Sequence, residues 1–322
     1  MRRAFTLIEV IVSIAIFVVA STLMFGALFG ATEVFRRGEA SRQAGDEATA
    51  VIAALQEDLS RAVPIRLRDG VPAGEWGRIK AEVLDAAGNC HLLLVIENPD
   101  RGQVRWVGSG SSATVAGVRQ QVDWFVDDQD TPDPSDDELV REVQDLDDGG
   151  HVIAATLRSE TITRGCLHFG VWAEVAQAHR VIAASTSGPD FRWESTDANE
   201  EVVPFRGNPF DTNVFESQIN AYPQPDAIRV SLVLTGGGRF ATRGTLVQAS
   251  GSDWRISGIK HLPTISGSLL RVGDEWIRYG DFRGGQLRDV QPAQLRSQAG
   301  GRNRGDLVLA GQPFSLVVAL PR

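Results

Sequence analysis

Residues 5–32 read FTLIEVIVSIAIFVVASTLMFGALFGAT, and this stretch decides the fold. The 23 residues from Val10 to Thr32 contain no charged side chain. As a helix they would be about 35 Å long, which is enough to cross a bilayer. A cleaved secretory signal usually has an apolar core of only about 7 to 15 residues, so that class fits poorly. The stretch therefore predicts one membrane-spanning helix.

The flanks of this span favour one orientation. Two arginines precede it, and one acidic and two basic residues follow it closely. The very short N-terminal flank favours a cytoplasmic N-terminus and a body on the other side of the membrane. Glu9 places a carboxylate at the edge of the span, where an ionised side chain costs several kcal/mol unless it is paired. Either Glu9 reaches the headgroups, or its charge has a function.

The helix is predicted to continue beyond the span. Residues 33–63 contain no proline and are rich in good helix formers. Apolar residues at spacings of three and four form one stripe, which consists of Val51, Ile52, Leu55, Leu59 and Val63. Pro64 follows directly and ends the pattern. A helix from about Phe5 to Val63 would be about 88 Å long.

After Pro64 the sequence changes to short strand-like runs separated by turn residues. The runs lie at 90–98, 103–108, 120–127, 138–146, 151–157, 166–175, 227–235 and 313–321. Two of them, LLLVIE and FSLVVAL, are almost entirely apolar, whereas several others alternate as in a sheet with one covered face. We therefore predict an α+β fold in which a long N-terminal helix packs on an antiparallel β-sheet body.

The N-terminal residues AFTLIEVIVSIAIF resemble the cleavage and methylation site of type IV prepilins and pseudopilins. The resemblance implies a leader of residues 1–4, cleavage by a prepilin peptidase between Ala4 and Phe5, and N-methylation of Phe5. The family usually has glycine before the cut, and Ala4 departs from that pattern. In a helical filament, Glu9 would then pair with the Phe5 amine of a neighbouring subunit and so fix the axial register.

The order of several later segments resembles one subgroup, the J-type minor pseudopilins of type II secretion systems. The segments are LQEDLSRAV at the end of the helix, VDWFVDD, DELVREV, CLHFGVWAEV and PQPDAIRVSLVL. The resemblance implies a structural protein at the tip of a periplasmic pseudopilus, anchored by one span in the bacterial inner membrane. Its partners would be the peptidase, other minor and major pseudopilins, the inner-membrane secretion platform and the lipid bilayer. The alternatives are a minor pilin of a type IV pilus, for adhesion or DNA uptake, and an anchored periplasmic binding module that never assembles.

Within this plan the body consists of residues 64–235 together with 305–322. Residues 236–304 separate the last two predicted strands and contain compact strand–turn repeats such as SLLRVGDEWIRYGD. They are interpreted as a small inserted β-module, expected to be weakly acidic to neutral, with a linker at 297–306.

An acidic segment stands out between residues 127 and 148, where eleven Asp or Glu side chains accompany one arginine. Asp127, Asp128 and Asp130 offer oxygen ligands of the kind that Ca²⁺ prefers, but the EF-hand ligand order is missing. The segment is therefore either a calcium site or a solvated acidic hairpin loop. Apart from calcium, no cofactor is expected.

The remaining composition restricts the function further. The net charge of −9 and a pI near 5.1 argue against nucleic-acid binding through a broad basic surface. The two cysteines, Cys90 and Cys166, form either one disulfide or two buried free thiols. The chain has neither an H-E-x-x-H motif, nor a G-x-S-x-G elbow, nor a phosphate-binding loop with a G-K-[ST] end, so we expect no enzyme activity.

Overall fold

The structure is a computed structural model, and it describes residues 7–63, 67–68, 71–72, 79–106, 113–147, 151–175, 180–181, 192–194, 227–236, 242–259, 262, 268–295 and 297–320. These residues form one long helix, α1 (Leu7–Ser60), and a series of β-strands. In chain order the strands are β1 (Leu67–Arg68), β2 (Val71–Pro72), β3 (Ile79–Val83), β4 (Cys90–Trp106), β5 (Ala113–Asp127), β6 (Glu138–Asp145), β7 (Arg158–Arg164), β8 (Cys166–Val175), β9 (Arg180–Val181), β10 (Arg192–Glu194), β11 (Ala227–Leu234), β12 (Thr242–Ser250), β13 (Asp253–Ser257), β14 (Ser268–Val272), β15 (Glu275–Tyr279), β16 (Asp281–Arg283), β17 (Gln286–Arg288), β18 (Gln291–Gln294), β19 (Leu307–Ala310) and β20 (Gln312–Ala319). The predicted combination of one long apolar helix and antiparallel sheets is confirmed.

Helix α1 contains 54 residues and is about 81 Å long. It ends where the amide of Ala62 donates to the carbonyl of Leu59 at 3.3 Å. The next amide, that of Val63, donates to the carbonyl of Val95 in β4 at 2.9 Å. The end of the helix is therefore fixed directly to the body.

The body has two antiparallel sheets. One has six strands in the order β10-β3-β4-β5-β6-β7, and the other has four in the order β20-β11-β8-β9. The predicted runs at 90–98 and 103–108 form a single strand, β4, whose register against β5 shifts between Asn98 and Gln103. Strand β20, at the C-terminal end, returns to pair with β11 along its whole length. Strands β1 and β2 form a separate hairpin.

The core of the body lies between the C-terminal half of α1 and the two sheets. From α1 it contains Ala44, Ala48, Val51, Leu55 and Leu59, all almost fully buried. The six-stranded sheet contributes Ile79, Leu92, Leu94, Ile96, Val122, Trp124 and Leu139, and the four-stranded sheet contributes Phe169, Val171, Ile228, Val230 and Leu232. The sequence stripe on the helix thus marks the face that packs on the body, since Val51, Leu55 and Leu59 are fully buried.

The module comprises β12 to β19, which form one eight-stranded sheet in the order β16-β17-β13-β12-β19-β14-β15-β18. It has its own core, which includes Leu246, Trp254, Ile256, Leu270, Ile277, Tyr279, Leu287 and Val308. A smaller cluster joins it to the body, with Leu167 and Val233 on the body side and Trp276 and Leu309 on the module side. Strand β19 pairs within this sheet, so the sheet extends beyond residue 304, where the predicted insert ends. The division of the chain into domains stays a prediction.

Two expectations from the sequence were wrong. The segment 151–157 is not a strand: Ala154–Thr156 forms a 3₁₀ turn, in which the Thr156 hydroxyl donates to the carbonyl of Ile153 at 2.7 Å. The insert is not acidic to neutral either. Residues 236–304 contain eleven Arg or Lys and five Asp or Glu, a net charge of +6. The rest of the chain therefore carries −15, because the whole carries −9.

Candidate assembly site

The first half of α1 makes no contact that would bury it. Its large apolar side chains are exposed from Leu7, at 80%, to Phe35, at 73%. From Val10 onward, α1 is long and apolar enough to cross a membrane by length and composition. An apolar helix surface of this size is stable only in lipid or against other apolar helices.

Two hydroxyls within this half bond to the helix itself. The Thr22 hydroxyl donates to the carbonyl of Val18 at 2.8 Å, and the Thr32 hydroxyl donates to that of Leu28 at 2.5 Å. Hydroxyls bonded to the preceding turn do not need water, so they are compatible with an apolar environment. The composition therefore suits a segment that is surrounded by hydrocarbon or by other helices.

Charged side chains begin directly after Thr32. Arg37 pairs with Glu33 at 2.8 Å, and Arg42 pairs with Asp46 at 2.6 Å, both at a spacing of four residues along the helix. Such exposed pairs contribute little to stability. They mark the part of α1 that lies in water between the apolar half and the body.

A buried ion pair fixes α1 to the six-stranded sheet. The Asp58 side chain is only 2% exposed, and its two oxygens accept hydrogen bonds from Arg141 of β6 at 2.6 and 2.8 Å. One of these oxygens also accepts from the indole N–H of Trp124 in β5 at 2.9 Å. The hydrogen bonds to Asp58 raise the pKa of Arg141. The helix is thus held in one register on the body.

This ion pair was not predicted from the sequence. Arg141 was noted only as the one basic residue in the acidic segment. A signal was present, because Asp58 is spaced three residues from Leu55 and four from Ala62 on the apolar stripe. A carboxylate on a core-facing stripe needs a cation or several donors. Beside the pair lies a cleft of about 470 Å³, whose lining includes Glu57, Arg61 and Glu160.

The predicted processing residues, Ala4 and Phe5, lie outside the described residues. Glu9 lies in the first turns of α1, and its side chain is also outside what the structure describes. The cleavage between Ala4 and Phe5, the methylation of Phe5 and the pairing of Glu9 with a neighbouring amine therefore stay predictions.

Both cysteines are free thiols in the structure, rather than a disulfide, and both are fully buried in the core of the body. Each faces a backbone carbonyl near it in sequence, Cys166 that of His168 at 3.5 Å and Cys90 that of Gly88 at 3.9 Å. Burial raises the pKa of the Cys166 thiol to about 12. The neutral thiol is thus its stable form at physiological pH.

The acidic loop between β5 and β6 is a hairpin loop, as predicted, but it is only partly solvated: Asp128, Asp130 and Asp136 are exposed, and other residues contact the module. Arg243 of the module donates hydrogen bonds to the Asp133 carboxylate and the Ser135 hydroxyl, and Ser135 and Asp137 are buried. Asp127 and Asp128 accept hydrogen bonds from amides two residues later in their own loop. Within the described residues, no group of three or more His, Cys, Asp or Glu comes together as a metal site. Calcium binding at Asp127, Asp128 and Asp130 stays a prediction.

Residues 1–25 match the family described as "Prokaryotic N-terminal methylation motif". The chain therefore carries the N-terminal motif of type IV prepilins and pseudopilins. The match includes the first 19 described residues of α1, all within its exposed apolar half, and it implies processing by a prepilin peptidase and pilin-type assembly. Prepilin-like proteins are structural proteins rather than enzymes. A search of curated proteins found no match to this chain.

Proposed function

We propose that this protein is a structural, non-catalytic minor pseudopilin of a type II secretion system. It would assemble with other minor and major pseudopilins at the tip of a periplasmic pseudopilus and so support protein export. The observation that carries the proposal is the division of α1 at about residue 40. Its first part, which overlaps the methylation motif, is exposed and mostly apolar. Its second part is fixed to a folded body.

The division suits a subunit that exists in two environments. Before assembly, residues 10–32 would lie in the inner membrane, with the N-terminus in the cytoplasm and the body in the periplasm. After assembly, the same apolar surface would pack against helices of neighbouring subunits. The buried Asp58–Arg141 pair supports this reading, because force applied to the apolar half would be transmitted to the body without a change of register.

Glu9 has a specific role in this proposal. Its carboxylate would pair with the methylated amine of Phe5 in an adjacent subunit, and neither charge would then be left alone in an apolar surrounding. Glu9→Gln should therefore leave cleavage intact and block entry into the filament. Glu33→Gln is the matched control, because it removes a carboxylate from the exposed part of the same helix. Normal incorporation of Glu9→Gln would refute the pairing.

Deletion of the gene separates the secretion system from the pilus. The proposal predicts that export of secreted proteins fails while surface pili remain. Loss of pili, adhesion or DNA uptake with normal export would instead assign the chain to a type IV pilus. The basic character of residues 236–304 is the observation that keeps DNA uptake open as this second candidate.

A further inference from the structure

The module lies at the end of the body that faces the apolar half of α1. Gly236, where the chain leaves β11 towards the module, lies against α1: a Cβ added there would be 2.3 Å from the carbonyl oxygen of Ala40. Where the chain returns from the module, the Gln312 side chain accepts a hydrogen bond from Ser41 at 2.9 Å. The opposite end of the body is near Ala62, which bridges to Ile96. Both connections to the module thus lie at the start of the body-contacting part of the helix.

The module covers the loops at this end of the body. Its Gln298 amide donates to the carbonyl of Ala86, in the turn between β3 and β4, at 2.9 Å. Arg243 bonds to the loop between β5 and β6. The buried Arg271 donates to the carbonyl of Leu167, at the start of β8, at 3.1 Å, and lies 3.7 Å from the Asp137 carboxylate. The module therefore contacts loops of the six-stranded sheet and the start of β8 in the four-stranded sheet.

The space between the body and the membrane is small. Ala40 is eight positions beyond Thr32, the end of the uncharged span, and a helix rises about 12 Å over eight positions. A compact unit of the module's size, 242–310, has a radius of gyration of about 11 Å and hence a diameter of about 28 Å. The module is thus wider than this gap, so a module attached at this end of the body can reach the headgroup region while the span is inserted.

The strands at the far side of the module carry the arginines. The contacts to the body described above come from β12, β14, β15, β19 and Gln298, whereas β16, β17 and β13 form one end of the sheet. Arg255 of β13 and Arg283 of β16 both lie opposite Gln286 of β17, and Arg288 follows Gln286 by two residues. Cross-strand partners and residues two apart point to the same face of a sheet. Arg255, Arg283 and Arg288 therefore form one exposed arginine patch.

The opposite face of these three strands is apolar, so the patch lies on the solvent side of the module. Trp254, Leu287 and Phe282 lie opposite one another there and are buried in the core of the module. Two carboxylates share the outer face with the patch: Asp281, 3.0 Å from Arg283, and Asp253, which accepts from Gln286 at 3.5 Å. The patch keeps an excess of positive charge on a module with a net charge of +6 over residues 236–304.

We propose that the arginine patch docks on anionic lipid headgroups of the membrane in which α1 is anchored. The proposal rests on the membrane anchoring in the proposed function, but not on the secretion system. Guanidinium groups bind phosphate oxygens through several N–H donors. An arginine close to an anionic surface strengthens binding roughly fivefold. Docking would hold the body at a fixed height above the membrane before assembly.

The test uses the full chain reconstituted in nanodiscs of phosphatidylcholine, with or without phosphatidylglycerol. Ser252→Cys, in the exposed turn between β12 and β13, takes an environment-sensitive fluorophore, and the two native thiols are buried. Quenching by spin labels on the headgroups reports contact between the module and the membrane. We expect quenching to rise with phosphatidylglycerol and to disappear in about 1 M salt, where the Debye length is only about 3 Å.

The double variant Arg255→Gln/Arg288→Gln should weaken the contact roughly 30-fold. The matched control, Arg158→Gln/Arg164→Gln, removes the same charge from exposed positions of β7 in the body, and it should retain full quenching. Inorganic phosphate at millimolar concentration should not release the module, since one free anion does not reproduce a surface of headgroups.

Four results would overturn the proposal. They are quenching that does not depend on phosphatidylglycerol, an equal loss in the two double variants, release by inorganic phosphate, and tight binding of a short DNA duplex by the patch in place of lipid. A chain that does not co-elute with the nanodisc would refute the membrane anchoring itself, and the patch proposal with it. Insertion without dependence on anionic lipid would refute the patch alone.

Discussion

Replacement of Asp58 by alanine should destabilise the body severely. The carboxylate is nearly fully buried and accepts two hydrogen bonds from Arg141 and one from Trp124. Its removal leaves the partly buried Arg141 guanidinium without this counter-charge and the buried indole N–H of Trp124 without an acceptor. Breaking a buried pair in this way costs about 3–5 kcal/mol. This is a large part of the roughly 5–15 kcal/mol that stabilises a typical domain.

The assay is urea unfolding of the detergent-solubilised full chain, followed by tryptophan fluorescence. Asp46→Ala is the matched control, because Asp46 is also an aspartate of α1 paired with an arginine, but in solvent. It should leave the unfolding midpoint almost unchanged. The double variant Asp58→Asn/Arg141→Met should recover much of the loss, since it removes both charges together. A loss below about 1 kcal/mol for Asp58→Ala would show that the pair does not hold the helix on the body.

Two further predictions concern the junction of the module with the body. Gly236→Ala should destabilise the full chain more than Gly251→Ala: both positions have positive φ, +69° and +55°, but only the Cβ at Gly236 would collide with Ala40. Equal losses in urea unfolding would contradict that contact. Burial raises the pKa of Asp137 to about 7, whereas the unfolded value is about 3.9, so the folded chain binds this proton more tightly. The free energy of unfolding should therefore fall as pH rises from about 4 to about 7, and Asp137→Asn should flatten that slope in urea titrations across this range; an unchanged slope would refute the assignment.

The sequence predicted the helix well because its signals are local. A run without charge, a run without proline and a stripe at three- and four-residue spacing depend only on neighbours along the chain. The same holds for most strands, since their alternation and turn residues are local too. The prediction of a strand at 151–157 was wrong because it relied on the apolar residues of that segment. The Thr156 hydroxyl stabilises a turn there, since it donates to the carbonyl of Ile153 and accepts from the amide of Asp145.

The contacts that fix the body could not be predicted in this way. Asp58 and Arg141 are 83 residues apart, and Arg243 and Asp133 are 110 apart. Nothing in local periodicity brings such residues together, because their proximity depends on the order of strands in the sheets. The acidic segment was interpreted as solvated for this reason. Its charge was visible in the sequence, but two of the arginines that bind it, Arg243 and Arg271, belong to the module.

The most direct test of the central claim is the mass of the mature N-terminus. The chain should be expressed in cells with an active prepilin peptidase, and the intact protein and its N-terminal peptide analysed by mass spectrometry. The mature chain should begin at Phe5 and carry one methyl group on its amine. A chain that still begins at Met1 in those cells would contradict the claim.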